Sequence, residues 1–94
     1  MAEVKIEKNE ALSRYEAYVD GDLGGFAEYE LGSKRIRFTH TEVDDAFEGH
    51  GVGSELARAA LDDVRREGTH QVIALCPFIK KWIDEHPDYQ DLLA

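Results

Sequence analysis

The sequence THTEVDDAFEGHGVGS, residues 39–54, is the most informative stretch of the chain. It starts in an alternating segment that predicts a β-strand and ends where apolar residues begin to repeat at helical spacing. A short turn with glycines at positions 49, 51 and 53 lies between them. The first N–H groups of a helix lack internal partners, and glycines let a ligand approach the backbone closely. This order predicts an anion site, with relief of backbone strain at the turn as the alternative.

The residues before this stretch predict an antiparallel meander. Its four strands are predicted at residues 4–6, 15–19, 23–31 and 34–43. Asp20-Gly21-Asp22 supplies a tight hairpin turn, and Gly24-Gly25 predicts a β-bulge. The alternation in the fourth strand predicts one face shared by Ile36, Phe38, His40 and Glu42.

The residues after the glycine turn predict a helix, a strand and a second helix. The first helix carries its apolar residues at helical spacing and stops at Gly68. Residues 72–76 are apolar on both faces, which predicts a central strand covered on both sides. Residues 78–85 predict a short amphipathic helix, and Pro87 predicts a break near His86. The aromatic residues of this region are interpreted as core rather than as a cage for an acceptor: Phe78, Trp82 and Tyr89. The predicted fold class is α/β (α+β), with an antiparallel meander followed by a helix, a parallel-inserted strand and a C-terminal helix, in a single domain spanning residues 1–94.

The chain is short and strongly acidic. It has 94 residues, with 20 acidic and 11 basic side chains and a formal net charge of −9. This charge disfavours nucleic acid as a partner and favours cationic molecules, with solubility alone as the alternative. No apolar run approaches the ~18 residues of a membrane span, so we expect a cytoplasmic protein without a membrane partner. The histidines and the single cysteine show no spacing typical of a metal site.

The glycine turn and its flanking elements resemble the GCN5-related N-acetyltransferase (GNAT) superfamily, whose motif reads Arg/Gln-x-x-Gly-x-Gly/Ala. Gly51 and Gly53 match its two small positions, and Glu48 stands where the superfamily has Arg or Gln. The resemblance implies that the turn holds the pyrophosphate of acetyl-coenzyme A (acetyl-CoA), with the pantetheine arm in a wedge between residues 39–43 and 72–76. It implies cofactor contacts from Val43, Phe47, Glu48, Gly49, His50, Gly51, Val52, Gly53, Ser54 and Cys76.

Further segments are similar to one small subgroup, the short YidJ-like or N-acetyltransferase domain-containing proteins. These segments are residues 40–43, 76–78 and 82–89, and the likeness covers roughly residues 26–93. The subgroup lacks the N-terminal helices of larger enzymes, which implies an acceptor site that is open or completed by a partner protein or a second copy. Glu48 adds repulsion toward phosphate, and the post-strand Asn and downstream Tyr of larger enzymes have no match.

The resemblance implies acetyl transfer from acetyl-CoA to an unidentified amine, either a small molecule or a protein amine. A cationic acceptor would suit the negative charge of the chain. The first alternative is a non-catalytic acyl-CoA-binding module, or one that acts only within a complex. The second is a protein-interaction domain whose glycine turn binds nothing.

Three side chains are candidates for catalysis. Cys76 ends a strand beside the predicted wedge, where it would protonate the departing thiolate or accept the acetyl group; the alternative is a buried small hydrophobe. His40 is a candidate base, because histidine is the side chain that most often serves as a general base near neutral pH, or a structural histidine. Glu42 would orient His40 or attract a cationic acceptor, and its alternative is a solvated carboxylate. His50, if protonated, would partly replace the missing Arg of the motif; otherwise it is a solvent-facing turn residue.

Overall fold

A five-stranded sheet carries the fold. The computed structural model describes residues 3–94. The strands are β1 (Val4–Asn9), β2 (Arg14–Val19), β3 (Asp22–Leu31), β4 (Arg35–Val43) and β5 (Gln71–Ala74), in that spatial order. Neighbouring strands are antiparallel except for the parallel pair β4–β5. The helices are α1 (Val52–Glu67) and α2 (Pro77–Asp84), with 3-10 turns at Glu10–Leu12, Asp45–Phe47 and Pro87–Leu92. The predicted order of meander, helix, parallel strand and helix is confirmed.

Helices α1 and α2 pack on one face of the sheet. The apolar residues that repeat at helical spacing along α1 are buried: Leu56, Ala57, Ala60, Leu61 and Val64. They share one core with inward side chains of the strands and with Ile79, Trp82 and Ile83 of α2. Alternate strand residues such as Glu7, Glu30 and Arg37 are exposed, so the other face of the sheet is uncovered. No helix within residues 3–94 is long and apolar enough to cross a membrane.

The glycine pair of β3 forms the predicted bulge. Pairing between β2 and β3 passes from Ala17↔Gly25 to Tyr18↔Leu23, which leaves Gly24 as the extra residue. A Cβ on Gly25 would lie 2.6 Å from the backbone oxygen of Glu42. Glycine is required at position 25 because β3 approaches the end of β4 this closely.

A second bulge, in β4, was not predicted. Pairing between β3 and β4 passes from Tyr29↔Phe38 to Glu28↔His40, which leaves Thr39 as the extra residue. An extra residue reverses the alternation of side chains along a strand. Phe38 is therefore buried under the helices, whereas His40 and Glu42 are exposed on the uncovered face. The prediction that His40 and Glu42 share the face of Phe38 is wrong.

Strand β5 lies at the edge of the sheet instead of being covered on both sides. Beyond β4, its only pairing within residues 3–94 is a single bridge from Val72 to Leu93. Leu75, directly after the strand, is 58% exposed. The prediction of a covered central strand is wrong, because an apolar run does not reveal whether a second layer packs on the sheet.

A polar cluster joins helix α1 to the start of the sheet. The Tyr15 hydroxyl donates to Asp63 Oδ2 at 2.7 Å, and Lys8 Nζ lies 3.3 Å from the same oxygen. Arg66 donates to the other oxygen of Asp63. Burial alone would raise the pKa of Asp63, but these hydrogen bonds outweigh it and lower the pKa below the usual aspartate value. The ionised carboxylate therefore stabilises the fold.

We expect this cluster to contribute stability that is lost in acid. A lowered folded-state pKa contributes fully above the unfolded value of about 3.9, and the contribution disappears as the pH falls through the folded value. Asp63→Asn should cost ~1–3 kcal/mol of unfolding free energy near neutral pH and much less in acid. Urea unfolding of both proteins across the acid range measures this. Asp84→Asn, at an exposed carboxylate paired with Lys80, is the control. A cost for Asp63→Asn that is independent of pH would contradict the assignment.

Candidate functional site

Helix α1 begins with backbone N–H groups that have no helical partner. Its N-cap, Gly51, has a left-handed backbone with φ +73°, and no side chain caps the helix. The N–H of Glu55 donates to the Gly51 carbonyl oxygen at 3.0 Å and starts the helical ladder. The N–H groups of Val52, Gly53 and Ser54 precede that ladder, and the helix dipole adds partial positive charge there. These three amides can bind an oxyanion.

Glycine is favoured at the three positions of the turn for different structural reasons. A Cβ on Gly49 or Gly51 would meet no atom within 4 Å, and both residues have positive φ, +86° and +73°. Side chains at these positions would be strained and would project into open space above the turn. A Cβ on Gly53 would instead lie 2.8 Å from Cζ of Phe78. The turn is thus open toward solvent and bounded on one side by the Phe78 ring.

A groove of about 430 Å³ runs past these amides. Its lining residues are Val43, Phe47, Glu48, Gly49, Gly51, Val52, Gly53, Ser54, Phe78, Trp82, Glu85 and His86. All predicted cofactor-binding residues line it except Cys76 and His50. The His50 side chain is exposed, and the backbone N–H of His50 donates to the Phe47 carbonyl oxygen at 3.4 Å.

Sequence reasoning missed one wall of the groove, the α2 wall, which is formed by α2 and the two residues that follow it. Phe78 and Trp82 lie four residues apart on one face of α2, and Glu85 and His86 come directly after its end at Asp84. This spacing was the available signal. Trp82 is buried, as the core interpretation predicted, but Phe78 is 41% exposed. The prediction that Phe78 points into the core is wrong, because its ring packs over Gly53 at the rim of the groove.

Strands β4 and β5 part beside the groove. Their parallel pairing ends at Phe38↔Ala74, and the Phe38 carbonyl oxygen accepts from the N–H groups of both Leu75 and Cys76, at 3.0 and 2.8 Å. Strand β4 then continues to Val43 without pairing to β5, and we call this unpaired region the gap between β4 and β5. Cys76 is 4% exposed at this point, and its Sγ donates to Thr41 Oγ1 at 3.5 Å. The cysteine belongs to the core and also borders the gap.

A second pocket, of about 530 Å³, lies at the end of β4 toward the β3 bulge. It is lined by Leu23, Gly24, Gly25, Phe26, Glu42, Val43, Asp44 and Asp45, a set with three carboxylates and no basic side chain. Next to it, His40 Nε2 lies 3.4 Å from Glu42 Oε1. Val43 lines both this pocket and the groove. Val43, at the end of β4, is therefore a boundary of both spaces.

Comparisons with known proteins point to one family. A family model described as GCN5-related N-acetyl-transferase matches residues 14–92. Protein NATD1 of Xenopus tropicalis is 40% identical over 57 residues, covering 61% of this chain and 51% of the relative. Protein NATD1 of Homo sapiens is 43% identical over 60 residues, covering 63% and 52%. The chain spans about half the length of these curated relatives.

Two solved structures share the fold. Ard1 from Thermoplasma volcanium superposes with a TM-score of 0.54 and 27% identity, over 64% of this chain and 43% of that one. The ribosomal-protein-alanine N-acetyltransferase from Brucella melitensis biovar Abortus 2308 gives a TM-score of 0.59 and 21% identity, over 86% and 60%. The second likeness is one of fold alone.

Proposed function

Because the chain belongs to the GCN5-related N-acetyltransferase family, we propose that it transfers an acetyl group from acetyl-CoA to an amine, either a small molecule or a protein amine. The observation that carries this proposal is the set of N–H groups at Val52, Gly53 and Ser54, which precede the helical ladder and belong to residues that line the groove. Gly49 and Gly51 leave free the volume that a Cβ would fill, so the turn fits a pyrophosphate. When bound, acetyl-CoA supplies the acetyl thioester.

The gap between β4 and β5 is our proposed place for the thioester. Cys76 borders the gap, with its thiol held by Thr41. We assign Cys76 the role of acid: it gives its proton to the departing sulfur as the C–S bond breaks and the new C–N bond forms. The alternative role is that Cys76 itself accepts the acetyl group and then passes it to the amine.

The second pocket, at the end of β4, is the proposed entry for the acceptor. Its three carboxylates, Glu42, Asp44 and Asp45, favour a cationic amine. Such an amine must lose a proton before it attacks, and we assign the role of base to His40, whose Nε2 lies 3.4 Å from Glu42 Oε1 beside this pocket. The amine and the thioester would meet at Val43, which lines both spaces. The uncovered sheet face leaves room for a partner protein or a second copy to complete this site.

One observation favours a different function, a non-catalytic acyl-CoA-binding module. Glu48 lines the groove where the family motif has Arg or Gln, and its carboxylate repels phosphate. Such a module would bind acetyl-CoA without turnover, alone or within a complex. Turnover therefore distinguishes the two functions.

Calorimetry and melting curves with acetyl-CoA test the proposal. We expect saturable binding and a higher melting temperature, since a ligand at 100 times its Kd stabilises the native state by about 2.7 kcal/mol. Pantetheine, which lacks the pyrophosphate, is the control and should bind more weakly. A panel of amines, followed by release of free thiol, then measures transfer. Absence of binding at millimolar acetyl-CoA would remove the proposal, and binding without transfer to any amine would support the module.

A further inference from the structure

The α2 wall of the groove carries a fixed aromatic pair. The His86 ring stacks on the Trp82 indole with centroids 3.7 Å apart and planes 11° from parallel. The indole N–H donates to Ser54 Oγ at 2.9 Å, which ties the pair to the start of α1. Trp82 is only 4% exposed, whereas His86 is half-buried and lines the groove. His86 therefore presents an aromatic surface that Trp82 supports from behind.

A hydrogen bond fixes the orientation of the His86 ring. Its Nδ1 lies 2.6 Å from the Trp82 carbonyl oxygen. A carbonyl oxygen only accepts, so Nδ1 carries a hydrogen and donates. The ring is held in one plane before any ligand arrives, and a preorganised surface loses little entropy on binding.

The groove lining carries groups that attract anions and groups that repel them. The N–H groups at Val52, Gly53 and Ser54 attract anions, whereas the carboxylates of Glu48, at the turn, and of Glu85, on the α2 wall, repel them. The Glu85 carboxylate also accepts N–H donors. In the nucleotide half of coenzyme A, the N–H donor is the exocyclic amine of adenine.

We propose that Glu85 and His86 form an adenine subsite, in which the imidazole stacks on the base and the carboxylate accepts from its exocyclic amine. This inference rests on the proposed function, because it places the pyrophosphate at the start of α1. The subsite would explain why the groove, which we propose to bind an anion, contains the Glu85 carboxylate. Stacking of a base on an aromatic ring contributes roughly 1–3 kcal/mol by alanine substitution in nucleic-acid-binding proteins.

Trp82 is the single tryptophan of the chain and reports directly on this subsite. We expect adenosine 3′,5′-bisphosphate to bind saturably and to change the Trp82 emission. Inosine 3′,5′-bisphosphate, which lacks the exocyclic amine, should bind roughly 10-fold more weakly, the loss expected for one hydrogen bond to a charged group. Equal binding of the two nucleotides, or an unchanged emission, would overturn the subsite.

Variants separate this effect from general electrostatics. Removing any carboxylate from a chain of net charge −9 favours anion binding, so Asp84→Ala, at an exposed position outside the groove, is the matched control for Glu85→Ala. We expect Glu85→Ala to abolish the preference for adenosine over inosine and Asp84→Ala to retain it. His86→Leu should weaken the binding of both nucleotides together.

A preference for adenosine that survives in Glu85→Ala contradicts the subsite. Full binding of acetyl-CoA alongside that result would leave the proposed function intact, whereas loss of acetyl-CoA binding by the unmodified protein would remove both.

Discussion

Cys76→Ala is expected to lower acetyl transfer by roughly 10²–10⁴-fold, the usual contribution of a positioned proton donor. The thiol borders the gap between β4 and β5, and its hydrogen bond to Thr41 holds it there. The affinity for acetyl-CoA should persist, because the substitution does not change the amides at the start of α1. Transfer rates to a responsive amine and calorimetry with acetyl-CoA measure the two quantities separately.

Cys76→Ser provides the matched control, since it keeps a hydrogen donor of similar size at the same buried position. A covalent role for Cys76 makes a distinct prediction. A brief incubation with acetyl-CoA should then add one acetyl mass to the intact protein, mapping to the single cysteine of the chain. Full transfer by Cys76→Ala, together with intact protein free of the adduct, would leave Cys76 with its packing role alone.

The sequence predicted those parts of the fold that local patterns determine. The apolar repeat of α1 predicted its buried face, and Gly68 predicted its end, where the backbone is left-handed with φ +70°. The bulge in β3 was also predictable, because a glycine pair interrupts the alternation there. The glycine turn also predicted the location of the groove, because the turn combines the start of a helix with residues that lack a Cβ.

Features that depend on tertiary contacts could not be predicted in this way. Thr39 is an ordinary strand residue, so nothing local indicates that it is the extra residue of a bulge and that His40 and Glu42 turn to the other face. The edge position of β5 depends on what packs beside it rather than on its own residues. Phe78 has the spacing of a core residue, and only the packing of α2 against Gly53 brings its ring to the rim of the groove.

The glycine at the start of α1 provides the sharpest test of the phosphate site. Gly51→Ala should weaken acetyl-CoA binding by roughly 10²-fold, because its Cβ would enter the groove and displace charge-assisted hydrogen bonds of ~1.5–3 kcal/mol each. The same substitution should cost about 1–2 kcal/mol of stability, since an L-residue disfavours the left-handed backbone. Gly68→Ala is the matched control. It places an L-residue on a similar left-handed backbone, φ +70°, at the other end of the same helix and outside the groove. Calorimetry with acetyl-CoA and urea unfolding of both variants should show similar losses of stability and a loss of affinity only in Gly51→Ala. Equal affinity in the two folded variants would mean that the amides of Val52, Gly53 and Ser54 do not hold the pyrophosphate.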